Sequence, residues 1–204
     1  MKVLRLTDDN VKLARQHAEI KGKKPIARGC FSAIFDGSKP STVFKLTVDP
    51  IGYWMLNCSA ARVEGKHFPK VVQDLQEVGT TNIRSKEYSI YLFEMERLLP
   101  LKRYAENYQE ARSVVTGTWN MGRKSFSTSD RIGSILTSNQ KISRSVKRAL
   151  KELERFAKDY GNNMALDMHM GNFMQRKDGT LVITDPMAEK CLFEIATGRF
   201  ERAY

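Results

Sequence analysis

In the stretch ALDMHMGNFMQRKDGTLVITDP, Asp167 and Asn172 stand five positions apart and Asp185 follows thirteen further on. A carboxylate and a carboxamide oxygen are hard ligands of the kind Mg²⁺ prefers, so Asn172 and Asp185 form a candidate metal pair. Asp167 is then left to orient an incoming hydroxyl or accept its proton. Phosphoryl transfer asks a protein mainly for such positioning and for neutralisation of developing charge. Between these residues the chain reads as a short hairpin: Asn172–Gln175, a turn at Lys177-Asp178-Gly179, then Leu181–Thr184, with Asp-Gly as the turn signal. The hairpin brings Asp185 back beside the loop it started from. His169, inside the loop, either touches a γ-phosphate or braces the backbone.

These residues need elements to carry them. An opening helix over residues 7–21 is expected, capped by Thr7 or Asp8 and facing inward through Val11, Ala14 and Ala18. Short strands follow at Pro25–Arg28, Ser32–Phe35 and Thr42–Leu46, separated by Gly29, Gly37 and Pro40. Asp49-Pro50 starts a helix reaching about Val63, and Val71–Val78 and Tyr88–Phe93 read as strands. Leu101, Tyr104, Tyr108, Ala111 and Val115 define one face of a further helix. Residues 116–140, rich in Ser, Thr and Gly, read as a surface loop in which Ser125, Ser127, Thr128 and Ser129 are candidates for self-phosphorylation. KISRSVKRALKELERFAKDY is an amphipathic helix with Ile142, Val146, Leu150, Leu153 and Phe156 or Ala157 inward and a basic outer face. Residues 188–197 supply one last short helix. Strands first and helices after point to an α+β chain, with a strand-rich lobe over residues 1–95 and a reduced helical lobe over 96–204.

Upstream pieces fall in a consistent order. Arg28-Gly29-Cys30-Phe31-Ser32 links two strands and can fold over phosphates, with Gly29 admitting the backbone and Ser32 offering a hydroxyl. Lys45 in VFKL lies on the third strand, where the lysine of the VAIK pattern contacts α- and β-phosphates. Glu94-Met95-Glu96-Arg97 is placed as a hinge whose main chain pairs with adenine, and Ile26, Ile34, Val43 and Met174 as the apolar walls of that pocket. The Asp-to-Asn separation is that of the protein-kinase catalytic loop HRDxxxxN.

The chain resembles the early serine/threonine protein kinases of T7-like phages, a diverged branch of the protein-kinase-like fold. The likeness is closest in Asp167-Met168-His169-Met170-Gly171-Asn172 and Ile183-Thr184-Asp185-Pro186, and extends to Cys30-Phe31-Ser32-Ala33 and Phe44-Lys45. It implies a compact two-lobed fold, ATP and Mg²⁺ as cofactors, and host-cell proteins as substrates in the bacterial cytoplasm, acidic or RNA polymerase-associated proteins among them.

The chain also departs from the protein-kinase pattern. His169 stands where those kinases place Lys, giving the Asp-x-His-x-x-Asn form of antibiotic and choline kinases. Pro186-Met187 follows Asp185 in place of Phe-Gly. No Glu lies within the helix expected at 50–63, only Glu64 at its end, and 19 residues follow Asp185, short for a long activation loop and several helices. A small-molecule phosphotransferase is therefore one alternative. A non-catalytic basic module that binds host RNA polymerase or nucleic acid is another.

Composition bounds these choices. The 204 residues are 41% hydrophobic and 28% charged, the balance of a globular soluble protein, and carry a net charge of +11. That surplus attracts polyanions and acidic proteins, yet no nucleic-acid-binding motif accompanies it. Neither a membrane span nor a secretory signal is expected. Cys30, Cys58 and Cys191 are odd in number and widely spaced, which suggests free thiols in a reducing cytoplasm.

Overall fold

A computed structural model describes residues 3–60, 62–119, 127–138 and 141–198 of the chain. The architecture is α+β, and the chain divides into two compact units that interleave in sequence. The first comprises Met1–Tyr53, Lys70–Arg97 and Cys191–Tyr204, the second Trp54–Pro69 and Leu98–Lys190. A single cut after residue 95 therefore misses two exchanges: residues 54–69 join the second unit, and the last helix joins the first.

The first unit is built on a five-stranded antiparallel sheet of β1 (Ala27–Arg28), β2 (Ser32–Asp36), β3 (Thr42–Thr47), β4 (Val71–Ile83) and β5 (Lys86–Glu96), in the order β1-β2-β3-β5-β4. Every residue of β3 is buried, as befits the middle strand. One face carries Ala33, Phe35, Phe44, Leu46, Ile90 and Leu92 into a core closed by Val11 and Ala14 of α1 (Asp9–Ala14). The strands at the sheet's end run longer than their apolar cores suggest. β4 continues through three register irregularities, and at its tip Arg84 and Ser85 both take positive φ, the two-residue turn whose twist suits a hairpin.

Asp8 caps α1, its carboxylate accepting the Asn10 and Val11 amides at 3.0 and 3.4 Å. The helix stops at Ala14, well short of the expected residue 21. Ala18 is exposed, and Ile20 takes the buried place after a series of tight turns. Helix α2 (Pro50–Asn57) begins as expected, with the Asp49 carboxylate on the amides of Ile51 and Gly52, but ends six residues before Val63.

The second unit holds α3 (Glu106–Trp119), α4 (Thr128–Thr137), α5 (Arg144–Tyr160) and two small sheets. One has the order β6-β8-β9, from β6 (Leu99–Pro100), β8 (Phe173–Gln175) and β9 (Leu181–Ile183). The other pairs β7 (Met164–Leu166) with β10 (Met187–Glu189). Helix α5 is the unit's spine: Val146, Leu150, Leu153 and Phe156 are fully buried, and Ser143 caps it through the Val146 amide. Truncating one of these leucines to Ala costs about 2–5 kcal/mol.

Two expectations are corrected here. The loop expected over 116–140 contains α4, whose Ile132 and Ile135 are fully buried and whose start is a reciprocal Ser127–Asp130 capping box. Ser125 lies outside the described residues, and the hydroxyls of Ser127 and Thr128 are engaged with Asp130 and the Met164 carbonyl. Helix α3 starts at Glu106, so Tyr104 is exposed at positive φ and the inward face is Ala111 and Val114. The final helix, α6 (Lys190–Thr197), buries Leu192 and Ile195 in the first unit's core. No described helix is long and apolar enough to cross a membrane, and the three cysteines are free thiols.

Candidate active site

The second unit gathers Asp167, His169, Asn172 and Asp185 by main-chain pairing of short strands. Strand β7 ends at Leu166, which sits opposite Met187 of β10. One step on, the Asp167 amide donates to the Pro186 carbonyl at 2.8 Å. The chain then makes a single 3₁₀ turn over Met170–Asn172 and enters β8. Strands β8 and β9 pair as Phe173 with Ile183, Met174 with Val182 and Gln175 with Leu181. Their connection turns at Gly179, φ 83°, with Asp178 accepting the Thr180 amide at 2.9 Å; these bonds hold the Asp178 carboxyl below its usual range.

Asn172 is the hub of the arrangement. Its Nδ2 donates to the Asp167 carbonyl and to the Asp185 carbonyl, both at 2.6 Å. Its own carbonyl accepts the Thr184 amide at 2.9 Å and the Thr184 hydroxyl at 3.1 Å. With both amide hydrogens used on the two aspartates' main chain, the orientation of the carboxamide is set and Oδ1 remains as an acceptor.

Burial raises the Asp167 carboxyl above its ordinary range, and the Asp185 charge adds to the rise; His169 and Asn172 oppose it. Two carboxylates that repel each other in a half-buried site are relieved by a cation. The His169 Nδ1 accepts the Gly171 amide at 3.1 Å, which leaves Nε2 as the ring's donor, 3.8 Å from Asp167 Oδ1. Gly171 lets the His169 ring lie against the loop, because a Cβ there would come 2.8 Å from His169 Cε1 and push the ring aside.

Among the described residues no cluster of three or more His, Cys, Asp or Glu side chains is set to enclose a metal. The donor set of one carboxylate and one carboxamide oxygen suits Mg²⁺ that arrives with phosphate and water ligands. Asn172 and Asp185 fit that group.

The first unit gathers a second set. Lys45, 3% exposed, sits in register between Ile34 on β2 and Phe93 on β5, and Val43 pairs with Met95 two residues along. Ile34, Val43, Lys45 and Met95 therefore share the sheet face opposite the apolar core. On that face Tyr53 of α2 stacks on Tyr91 at 4.0 Å and approaches Phe93 at 6.0 Å. Gly29 and Ser32 close the tight β1–β2 turn, the Gly29 amide donating to the Ser32 carbonyl at 2.9 Å, and the Cys30 carbonyl is held by the amides of Val3 and Leu4. Ile26 is half-exposed just before β1, and Met174 lies on β8 of the other unit.

The hinge expected at Glu94–Arg97 is corrected. Glu94 and Met95 lie inside β5, paired on one side with β3 and on the other with β4. The amides of Glu96 and Arg97 are already taken by the carbonyls of Lys70 and Ser41. The Glu94 carboxylate accepts the Ser38 amide and hydroxyl at 2.7 and 2.6 Å and the Thr42 hydroxyl at 2.5 Å, so it ties down the β2–β3 turn. Burial alone would raise this carboxyl; the bonds from Ser38 and Thr42 outweigh it and leave the group below its usual range. Glu64 is 70% exposed and pairs with Arg62 at 3.0 Å.

The bonds made by Thr184 and Pro186 were not readable in the sequence, and His67 was missed altogether. The buried His67 Nδ1 donates to the Leu181 carbonyl at 2.7 Å, and its carbonyl accepts the Ile183 amide at 2.8 Å, so one residue holds both ends of the strand leading to Asp185. Desolvation keeps this ring below its ordinary pKa and hence neutral. A lone His between Lys66 and Phe68 gives no local sign of such a role. No protein-family model and no curated protein sequence matches the chain.

Proposed function

We propose that the chain is an ATP-dependent protein kinase acting on Ser and Thr hydroxyls, a two-lobed enzyme of the type seen in the early kinases of T7-like phages. The observation that carries this reading is the Asn172 carboxamide, whose Nδ2 lies 2.6 Å from the carbonyls of both Asp167 and Asp185. That grip ties the main chain at both aspartates to one carboxamide, which supports a shared site for their side chains.

Asn172 Oδ1 and the Asp185 carboxylate would hold Mg²⁺, which offsets charge on the nucleotide's phosphates. Lys45 would pair with the α- and β-phosphates, the Gly29–Ser32 turn would cover them, and Ile34, Val43, Met95 and Met174 would face adenine. Asp167 orients the acceptor hydroxyl. As the new bond from that oxygen to the γ-phosphorus forms and the bond to the bridging oxygen breaks, Asp167 takes the hydroxyl proton. Its raised proton affinity favours that transfer. The His169 Nε2, beside Asp167, steadies the carboxylate. Host proteins in the bacterial cytoplasm are the substrates of this reading, acidic or polymerase-associated ones among them.

Incubation of the purified protein with γ-labelled ATP, Mg²⁺ and bacterial extract proteins tests it. Label is expected on Ser and Thr, falling at least ~100-fold in Asp167→Asn and in Asp185→Asn. Binding calorimetry should separate their roles: Asp167→Asn keeps Mg-ATP affinity and Asp185→Asn loses it. Unchanged labelling in Asp185→Asn rejects the proposal. The Asp-x-His-x-x-Asn form, with His169 turned toward Asp167, favours a small-molecule phosphotransferase as the second reading. Aminoglycosides or choline as acceptors in the same assay decide between the two.

A further inference from the structure

Within the second unit, a cleft of about 820 Å³ runs between residues 59–60 and 62–67 on one side and the outer face of α5 on the other. Its walls carry Arg62, Lys66, Arg148, Lys151 and Arg155 against two carboxylates, Glu64 and Glu152. Both carboxylates are already paired at 3.0 Å, Glu64 with Arg62 and Glu152 with Arg155. Lys66, Arg148 and Lys151 have no acidic partner among the described residues. Arg148 and Lys151 are exposed and one helical turn apart, about 4.5 Å along the axis.

Three unpaired cations in one concave site form a local positive field with a shape. A flat basic surface attracts polyanions generally; a cleft takes a particular group. Among the described residues no Phe, Tyr or Trp lines this one, and the His67 ring in its wall is buried, so no exposed aromatic face is offered for a base to stack on. The two carboxylates on its walls would repel a chain charged at every unit, as a phosphodiester backbone is. Separate Asp and Glu side chains on a peptide can be spaced to avoid them and still reach Arg148, whose guanidinium binds carboxylate through two parallel bonds.

We propose that this cleft docks an acidic segment of a protein. The choice of a protein as occupant rests on the kinase reading above. The cleft is also linked to the catalytic hairpin, because His67 in its wall is bonded to Leu181 and Ile183 of β9, two residues before Asp185.

Fluorescence anisotropy of a short fluorescein-labelled Glu/Asp-rich peptide, measured without nucleotide, tests the assignment. Arg148→Glu/Lys151→Glu should weaken binding at least ~10-fold. Arg144→Glu/Lys147→Glu makes the same change in net charge on the same helix outside the cleft, and should weaken it less than ~3-fold. Circular dichroism and thermal unfolding establish that both variants fold; should the cleft pair not fold, Lys66→Glu takes its place. Equal weakening by the two pairs overturns the proposal, as does absence of peptide binding in the parent protein. Tighter binding of a single-stranded RNA of equal charge, lost on cleft substitution, also overturns it. Docking that persists without phosphoryl transfer would count against the kinase reading alone.

Discussion

Replacing Asn172 with Asp keeps the shape of the side chain and removes both Nδ2 donors. The bonds lost are the two 2.6 Å contacts to the carbonyls of Asp167 and Asp185. At about 0.5–1.5 kcal/mol net for each bond, Asn172→Ala alone should cost ~1–3 kcal/mol. Asn172→Asp adds a third carboxylate beside two that already repel each other. At an effective dielectric near 20, two unit charges about 5 Å apart repel by ~3 kcal/mol, a figure partial exposure reduces. The Asp variant should therefore be the weaker of the two at neutral pH in EDTA. For a chain of this size ~1 kcal/mol is about 2–4 °C in Tm, so the Ala variant should fall by roughly 2–12 °C and the Asp variant further. Millimolar Mg²⁺ should restore part of the loss in Asn172→Asp, which gains a ligand, and little of it in Asn172→Ala. The assay is thermal unfolding of parent, Ala and Asp proteins with EDTA or Mg²⁺, followed by near-UV circular dichroism. An Asp variant within ~1 °C of the parent in EDTA, or equal Mg²⁺ rescue of both variants, would refute the argument that this amide holds two aspartates around a cation site.

Two further outcomes are expected. Asp167→Asn, the variant expected to lose transfer on the proposed reading, should raise Tm at pH 7 by about 2–4 °C. A carboxyl whose folded pKa is raised weighs against the fold when ionised and has no effect below the unfolded pKa, so the gain should vanish as pH falls below the ordinary Asp range. A gain that is independent of pH between 3 and 7 would assign it to some other cause. Glu94 has the opposite sign: its folded pKa is depressed, so it stabilises the first unit above the usual Glu value and loses that contribution as pH drops through the folded one. Glu94→Gln should lower stability at pH 7 by ~1–2 kcal/mol and flatten the acid limb of the unfolding curve, measured by urea titration across pH.

The hairpin of the candidate site was legible because its signals are local. Asn172 and Asp185 flank one hairpin whose Asp178-Gly179 turn announces itself, with Asp167 five residues ahead of it, and the helix carrying Val146, Leu150 and Leu153 has an unmistakable period. Less local features stayed hidden. Strand β10 is three residues, Met187–Glu189, that pair with β7 through the main chain, and main-chain bonds leave no trace in side-chain periodicity. Helix α4 was masked by composition: its Ser, Thr and Gly content suggests a loop, yet Ser127 and Asp130 form a capping box ahead of Ile132 and Ile135. The hinge failed for a related reason. The apolar alternation of β5 fades after Phe93, but hydrogen bonding to β3 and β4 carries the strand on to Glu96.

Pro186, where many kinases have Phe, has a physical consequence once β10 is known. Asp185 is held from behind by β9, itself paired with β8 and bonded to His67, and from in front by β10 paired with β7 at three positions. The Pro186 carbonyl accepts the Asp167 amide at 2.8 Å, so the residue after Asp185 is bonded to Asp167, in addition to the Asn172 carboxamide that bonds the carbonyls of both aspartates. Swinging Asp185 away would break that bond, the Asn172 contact and the β7–β10 ladder together, several bonds at ~0.5–1.5 kcal/mol each. A flip of this residue is a poor switch under those terms. On the kinase reading proposed above, control would belong to what is brought to the site, a task suited to a charged cleft on α5.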